Sequence, residues 1–84
     1  MTILLAIDDN KNNLLSLKSL LVEAIPDCNV ITARSGSEGV KLAKKHKPDT
    51  IILDVIMPEL DGFETCKILK TDELTKSIPV ILLT

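Results

Sequence analysis

Residues 51–58 read IILDVIMP, so three aliphatic residues run directly into an ionisable one, Asp54. A buried strand normally excludes carboxylates, because an unpaired charge in a medium of low dielectric constant is costly. An aspartate in this place is therefore expected at the carboxyl end of the strand, where a cation, a proton or chemistry accounts for its charge. The stretch predicts a buried strand that ends in a functional carboxylate.

The segments around this strand alternate between strand and helix patterns. Apolar runs predict three further strands, at residues 2–7, 28–33 and 80–84. Helices are predicted after Asn10, which can cap the first one, after Ser35 and Glu38, which form a capping box, and from residue 63 to about 69, where a turn at Asp61 and Gly62 leads into the helix. This alternation is typical of an α/β protein with a parallel sheet covered on both faces, and Phe63, the only aromatic residue, is expected in its core.

Length and composition exclude several classes of protein. The 84 residues form at most one domain, and 45% hydrophobic and 26% charged residues are typical of a globular chain. A net charge of −2 offers no basic patch for nucleic acid, and no apolar run is long enough for a membrane span. Cys28 and Cys66 fit neither a disulfide framework nor a zinc pattern, and the sequence shows no targeting signal, so we expect a cytoplasmic protein.

Acidic residues recur where the predicted strands end. Asp8 and Asp9 follow the first strand, and Asp54 ends the third. The carboxyl ends of parallel strands share one edge of the sheet, so these acids would lie within a few ångströms of one another if the two strands are neighbours. A hard divalent cation relieves their repulsion best. The pattern predicts Mg2+ ligated by these carboxylates, by water and by a loop carbonyl such as that of Ile56.

A carboxylate beside bound Mg2+ is suited to accept a phosphoryl group. The cation would neutralise charge that otherwise repels the nucleophile, and Asp54 is the predicted acceptor. The hydroxyl of Thr84, at the end of the last predicted strand, could donate to the phosphate. Two plainer alternatives stay open from the residues alone. Asp8 could cap the first helix, and Thr84 could be an ordinary β-branched strand residue.

These segments resemble the receiver domains of two-component response regulators, the CheY-like family. The resemblance rests on Asp8 and Asp9, on residues 49–62 (DTIILDVIMPELDG) and on residues 78–84 (IPVILLT), in family order and spacing. It implies a flavodoxin-like, doubly wound parallel sheet in three layers, with strand order 2-1-3-4 and three helices. It also implies that Asp54 accepts phosphate from a histidine kinase or a phosphotransfer protein.

The resemblance carries further roles over to single residues. Asp8 and Asp9 would be the magnesium-site acids beside Asp54. Ile56 would be a ligand through its carbonyl, and Thr84 would be the switch hydroxyl.

The family pattern extends beyond these segments. Receiver domains continue past this threonine through a fourth helix, a fifth strand that carries a phosphate-pairing lysine, and a fifth helix. On this comparison residues 1–84 are expected to be a receiver domain that is incomplete at its C-terminus, with impaired phosphorylation. Residues 80–83 would form an apolar sheet edge, through which we expect self-association.

Three classes of function are compatible with the sequence. The leading interpretation is a signalling receiver, not an enzyme, that switches an effector domain or protein when Asp54 is phosphorylated. A magnesium-dependent phosphohydrolase with an aspartyl nucleophile fits less well, because Val55 and Ile56 follow Asp54 where such an enzyme needs a general acid. The third class is an interaction module that is never phosphorylated.

Overall fold

The computed structural model describes residues 1–55 and 61–83. Within these residues, four strands and three helices alternate along the chain. The strands are β1 (Thr2–Ile7), β2 (Cys28–Ala33), β3 (Thr50–Asp54) and β4 (Val80–Leu83), and the helices are α1 (Lys11–Ala24), α2 (Gly36–His46) and α3 (Gly62–Thr71). The elements predicted from the sequence are therefore present, and α3 extends beyond its predicted span at both ends.

The four strands form one parallel sheet in the order β2-β1-β3-β4. The predicted flavodoxin-like order of strands is thus confirmed. The register pairs Ile7 of β1 with Leu53 of β3. Because the strands are parallel and adjacent, the residues that follow, Asp8 and Asp54, lie side by side at the carboxyl edge of the sheet.

The core lies between the sheet and the helices that cover it. Its main cluster consists of Leu5, Ile7, Ala33, Ala43, Ile51, Leu53, Leu69 and Ile78. The last four residues of β1 are all buried, as expected for a central parallel strand with both faces covered. The strand that leads into Asp8 is therefore fixed by packing on both sides.

The expectation that Phe63 belongs to the core is wrong. Its side chain is 61% exposed, whereas Thr65 and Leu69 of the same helix are completely buried. Each helical residue advances by about 100° around the axis, so Phe63 lies far from the stripe that these two residues form. The only aromatic residue of the chain therefore contributes little to the core.

Each helix begins with a side-chain cap, at Asn10, Ser35 and Asp61 respectively. The predicted capping box of α2 is present on one side, since Ser35 Oγ accepts the Glu38 N–H at 3.1 Å. On the other side Glu38 accepts the N–H of Arg34, one residue before the cap, at 2.8 Å.

None of the helices in the described residues combines the length and apolarity needed to cross a bilayer.

Candidate functional site

Three carboxylates converge at the carboxyl edge of the sheet. One oxygen from each of Asp8, Asp9 and Asp54 lies within 4.8 Å of the other two, and all three residues are half-buried. Three like charges so close together repel one another, and a cation relieves that repulsion. Since the donors are all carboxylate oxygens, the residues fit a hard divalent cation such as Mg2+.

The main chain around these acids is held by hydrogen bonds on both sides. The N–H of Asp8 donates to the Ala33 carbonyl of β2 at 3.0 Å, and the N–H of Val55 donates to the Leu83 carbonyl of β4 at 3.1 Å. Both bonds continue the sheet ladders one residue beyond β1 and β3. The backbone that carries Asp8 and Asp54 is therefore fixed at the point where their side chains meet.

The carboxylate of Asp8 is held by the start of α1. Its Oδ1 accepts the backbone N–H of Asn10 at 2.9 Å, and its Oδ2 accepts the side-chain Nδ2 of Asn13 at 3.3 Å. The cap of the helix is Asn10, whose Oδ1 accepts the N–H of Asn13 at 3.0 Å. The alternative in which Asp8 itself caps α1 is therefore wrong.

A surface groove of about 350 Å³ opens beside the acids. It is lined by Asp8, Asn13, Ser16, Leu17, Leu20, Asp54 and Leu83. The groove therefore reaches Asp54 between α1 and the end of β4. Its lining combines the carboxylates of Asp8 and Asp54 with apolar side chains such as that of Leu83.

Val55, the residue after Asp54, is hydrogen-bonded to the start of α3. The N–H of Gly62 donates to the Val55 carbonyl at 2.7 Å. Two predicted site residues, Ile56 with its carbonyl ligand and Thr84 with its switch hydroxyl, lie outside the described residues. Their roles stay predictions, as do those of the three acids.

Sequence reasoning missed two residues that support this site. Asn13 was not noticed, although an asparagine five residues after Asp8, in the first turn of a predicted helix, can reach back to that acid. Gly62 was interpreted only as part of a turn. Its closeness to Val55, the residue after Asp54, depends on the tertiary fold, and no local sequence pattern indicates it.

The chain is similar to known proteins over nearly its whole length. Residues 4–84 match the family model described as response regulator receiver domain. Protein PilH of Pseudomonas aeruginosa is 36% identical over 81 residues, which are 96% of this chain and 65% of PilH. Response regulator PleD of Caulobacter vibrioides is 40% identical over 81 residues, which are 96% of this chain and 17% of PleD.

The structure is also similar to solved structures. The N-terminal domain of a response regulator receiver protein from Methanoculleus marisnigri JR1 superposes with a TM-score of 0.93 at 33% identity, over 100% of this chain and 67% of that one. The chain thus spans at most about two thirds of the length of these relatives. Its fold is the flavodoxin-like fold of the CheY type. Sequence and fold agree, and the chain belongs to the response regulator receiver domain family, whose members act in two-component phosphorelay signalling.

Proposed function

We propose that this chain receives a phosphoryl group on Asp54 from a histidine kinase or a phosphotransfer protein and thereby switches an effector. The observation that carries the proposal is the convergence of Asp54 with Asp8 and Asp9 beside an open groove. Family membership supplies the class of reaction, since similar proteins include a response regulator and a histidine kinase.

In the proposed metal site, Asp8, Asp9 and Asp54 would hold Mg2+, and the carbonyl of Ile56 is proposed as a further ligand. When bound, the cation would neutralise the negative charge that builds up between a carboxylate and an incoming phosphoryl group. The ordered backbone at the ends of β1 and β3 holds the acids in place before the donor arrives, so little reorganisation accompanies the reaction.

The proposed transfer is a displacement at phosphorus. An oxygen of the Asp54 carboxylate forms a bond to phosphorus as the bond between phosphorus and the donor's nitrogen or oxygen breaks, and the donor leaves with that electron pair. The product is an acyl phosphate on Asp54. The hydroxyl of Thr84 is the proposed donor to the transferred phosphate.

A signalling role is proposed in preference to an enzymatic one. An aspartyl phosphohydrolase would need a general acid close after its nucleophile, and Val55 follows Asp54. Both cysteines, Cys28 and Cys66, are free thiols, which supports a reducing compartment, the cytoplasm. Self-association through β4 is part of the proposal.

The test is the intact mass of the chain after incubation with Mg2+ and acetyl phosphate, a small acyl-phosphate donor. Asp54→Asn removes the nucleophile, and Asp27→Asn, an exposed aspartate outside the cluster, is the matched control. We expect one added phosphoryl group on a fraction of the wild-type and Asp27→Asn chains, because the sequence predicts impaired phosphorylation; the group should be released by hydroxylamine as an acyl phosphate is, and Asp54→Asn should carry none. Addition to Asp54→Asn would place the acceptor elsewhere, and no addition to a folded wild type would contradict the proposal.

A further inference from the structure

The start of α1 forms hydrogen bonds to both oxygens of the Asp8 carboxylate. The backbone of Asn10 donates to one oxygen at 2.9 Å and the side chain of Asn13 donates to the other at 3.3 Å. A carboxylate offers about four acceptor sites, so each oxygen keeps capacity for a further ligand. The two bonds therefore orient Asp8 without saturating it.

Asn13 differs from the residues that occupy the same place in the other helices. Three positions after the cap, α2 has Glu38 and α3 has Glu64, whereas the first turn of α1 contains no acid. An acid is generally favoured at this position because it complements the helix dipole. In α1, however, an acid would place a fourth negative charge beside the cluster. An asparagine avoids this repulsion and supplies a donor instead.

The position of Asn13 is itself fixed. Its backbone N–H donates to the Asn10 side chain at 3.0 Å, so the cap of α1 and the support of Asp8 form one connected set of hydrogen bonds. Asn13 also lines the groove that contains Asp8 and Asp54. Asn13 is therefore part of the wall of the groove.

We propose that Asn13 is a positioning residue that holds the Asp8 carboxylate in its metal-binding orientation. The inference rests on the proposed function, because it assigns Asn13 to the same site. A ligand fixed before the cation arrives loses less freedom on binding, and residues that orient metal ligands typically affect metal affinity by about 10- to 100-fold. Asn13 is exposed and water competes with its hydrogen bond. The lower end of that range is therefore the expected effect.

The experiment measures the Mg2+ dissociation constant by titration calorimetry, without a phosphoryl donor. The chain has no tryptophan or tyrosine for a fluorescence signal. Asn13→Ala removes the donor and should raise the dissociation constant about tenfold. Asn13→Gln keeps an amide donor on a longer side chain and should recover part of the affinity. Asn12→Ala is the matched control, since it changes the neighbouring exposed asparagine, and should bind as the wild type does.

Unfolding in EDTA shows whether each variant is folded before its affinity is compared. Equal Mg2+ affinities of folded Asn13→Ala and Asn12→Ala would overturn the inference and leave the proposed function intact. The same affinity loss in Asn13→Gln as in Asn13→Ala would also count against it, because the donor would then not matter. A wild type that binds no Mg2+ would remove both the inference and the metal site of the proposed function.

Discussion

The backbone N–H of Gly62 donates a 2.7 Å hydrogen bond to the carbonyl oxygen of Val55, the residue that follows Asp54. A Cβ atom added to Gly62 would lie inside contact distance of the Asp54 carbonyl oxygen and of the Val55 Cα. These are backbone atoms, and they cannot move without displacing the end of β3. The first turn of α3 thus packs directly against the main chain of the proposed phosphoacceptor.

Gly62→Ala should therefore be strongly destabilising. Forcing a methyl group against fixed backbone is overpacking, and we expect a loss of about 3 kcal/mol in the free energy of unfolding, together with weaker phosphorylation of Asp54. Gly39→Ala is the comparison variant. Its added Cβ would meet side-chain atoms of the buried Ile7 and not backbone, so we expect a smaller loss, because a shift of that side chain relieves part of the overpacking and alanine gains about 1 kcal/mol over glycine within a helix. Urea unfolding of the two variants measures the difference, and equal losses would contradict the close approach.

The ion pair at the end of α3 should make stability depend on pH. The carboxylate of Asp72 accepts the Leu74 N–H at 2.9 Å, and Nζ of Lys44 from α2 lies 3.0 Å from its other oxygen. Two hydrogen bonds lower the pKa of Asp72 below its ordinary value of 3.8. The bond from Leu74 has the larger effect, and the bond from Lys44 has the smaller one. Since the folded-state pKa is depressed, the stabilisation is present above the unfolded-state value and is lost as the pH falls through the folded-state value.

Asp72→Asn should accordingly lower the urea midpoint at pH 7, and its difference from the wild type should shrink as the pH falls below about 4. Glu73→Gln is the matched control. Its carboxylate is 84% exposed and pairs only along the surface with Lys76, so the substitution should change the midpoint little. A difference between Asp72→Asn and the wild type that is the same at pH 7 and at acid pH would show that the charge of Asp72 does not contribute.

The order of elements could be predicted from the sequence because it depends on local patterns. Continuous aliphatic runs such as residues 51–53 indicate strands buried on both faces, and polar caps such as Asn10 indicate where helices begin. The adjacency of β1 and β3, which brings Asp8 to Asp54, is not a local property. This adjacency was predicted from the family resemblance, because hydrophobic runs do not indicate which strands are neighbours.

The remaining features depend on contacts between distant segments. Asp61 and Gly62 were correctly predicted to lead into α3. The need for glycine at position 62 arises from the backbone of Val55, which follows β3 and lies within contact distance of an added Cβ atom. Phe63 was assigned to the core on its hydrophobicity. Its actual exposure follows from the direction in which α3 faces the sheet, which Thr65 and Leu69 decide.

The exposure of Phe63 can be tested by a pair of substitutions on α3. Phe63→Ala should change the free energy of unfolding by less than about 1 kcal/mol, because the side chain is already 61% exposed. Leu69→Ala should cost about 2 to 5 kcal/mol, because it leaves a cavity at a fully buried position. Urea unfolding measures both. A large loss for Phe63→Ala would mean that this ring is buried after all.

Magnesium should stabilise the folded chain. A ligand that binds only the folded state adds about 1.4 kcal/mol when its free concentration is about ten times its dissociation constant. For a chain of this size that corresponds to a rise of about 6 °C or more in the thermal midpoint. Sodium chloride at equal ionic strength is the control for screening, and an equal effect of the two salts would contradict a specific site.

Asp9→Asn should reverse the order of stability between metal-free and metal-bound conditions. Without Mg2+ the variant should be at least as stable as the wild type, because one of three mutually repelling charges is removed. With Mg2+ it should be less stable, because the cation loses a ligand. Thermal unfolding followed by circular dichroism, in EDTA and in Mg2+, measures both midpoints. A variant that is less stable in both conditions would assign Asp9 a structural role instead.

The two outer strands of the sheet differ in what they expose, and this predicts how the 84-residue polypeptide associates. Among the described residues, β2 and β4 each pair with one neighbour only. Strand β2 exposes Asn29 and Thr32, whereas Ile81, Leu82 and Leu83 of β4 are 51%, 36% and 43% exposed. An apolar edge with unpaired backbone groups is a template for pairing with another chain.

We therefore expect concentration-dependent self-association of the polypeptide in sedimentation equilibrium. Ile81→Lys should weaken it, since a charged edge residue opposes strand pairing, while Thr32→Lys on the opposite edge should not. If both lysine variants associate as the wild type does, β4 is not the contact.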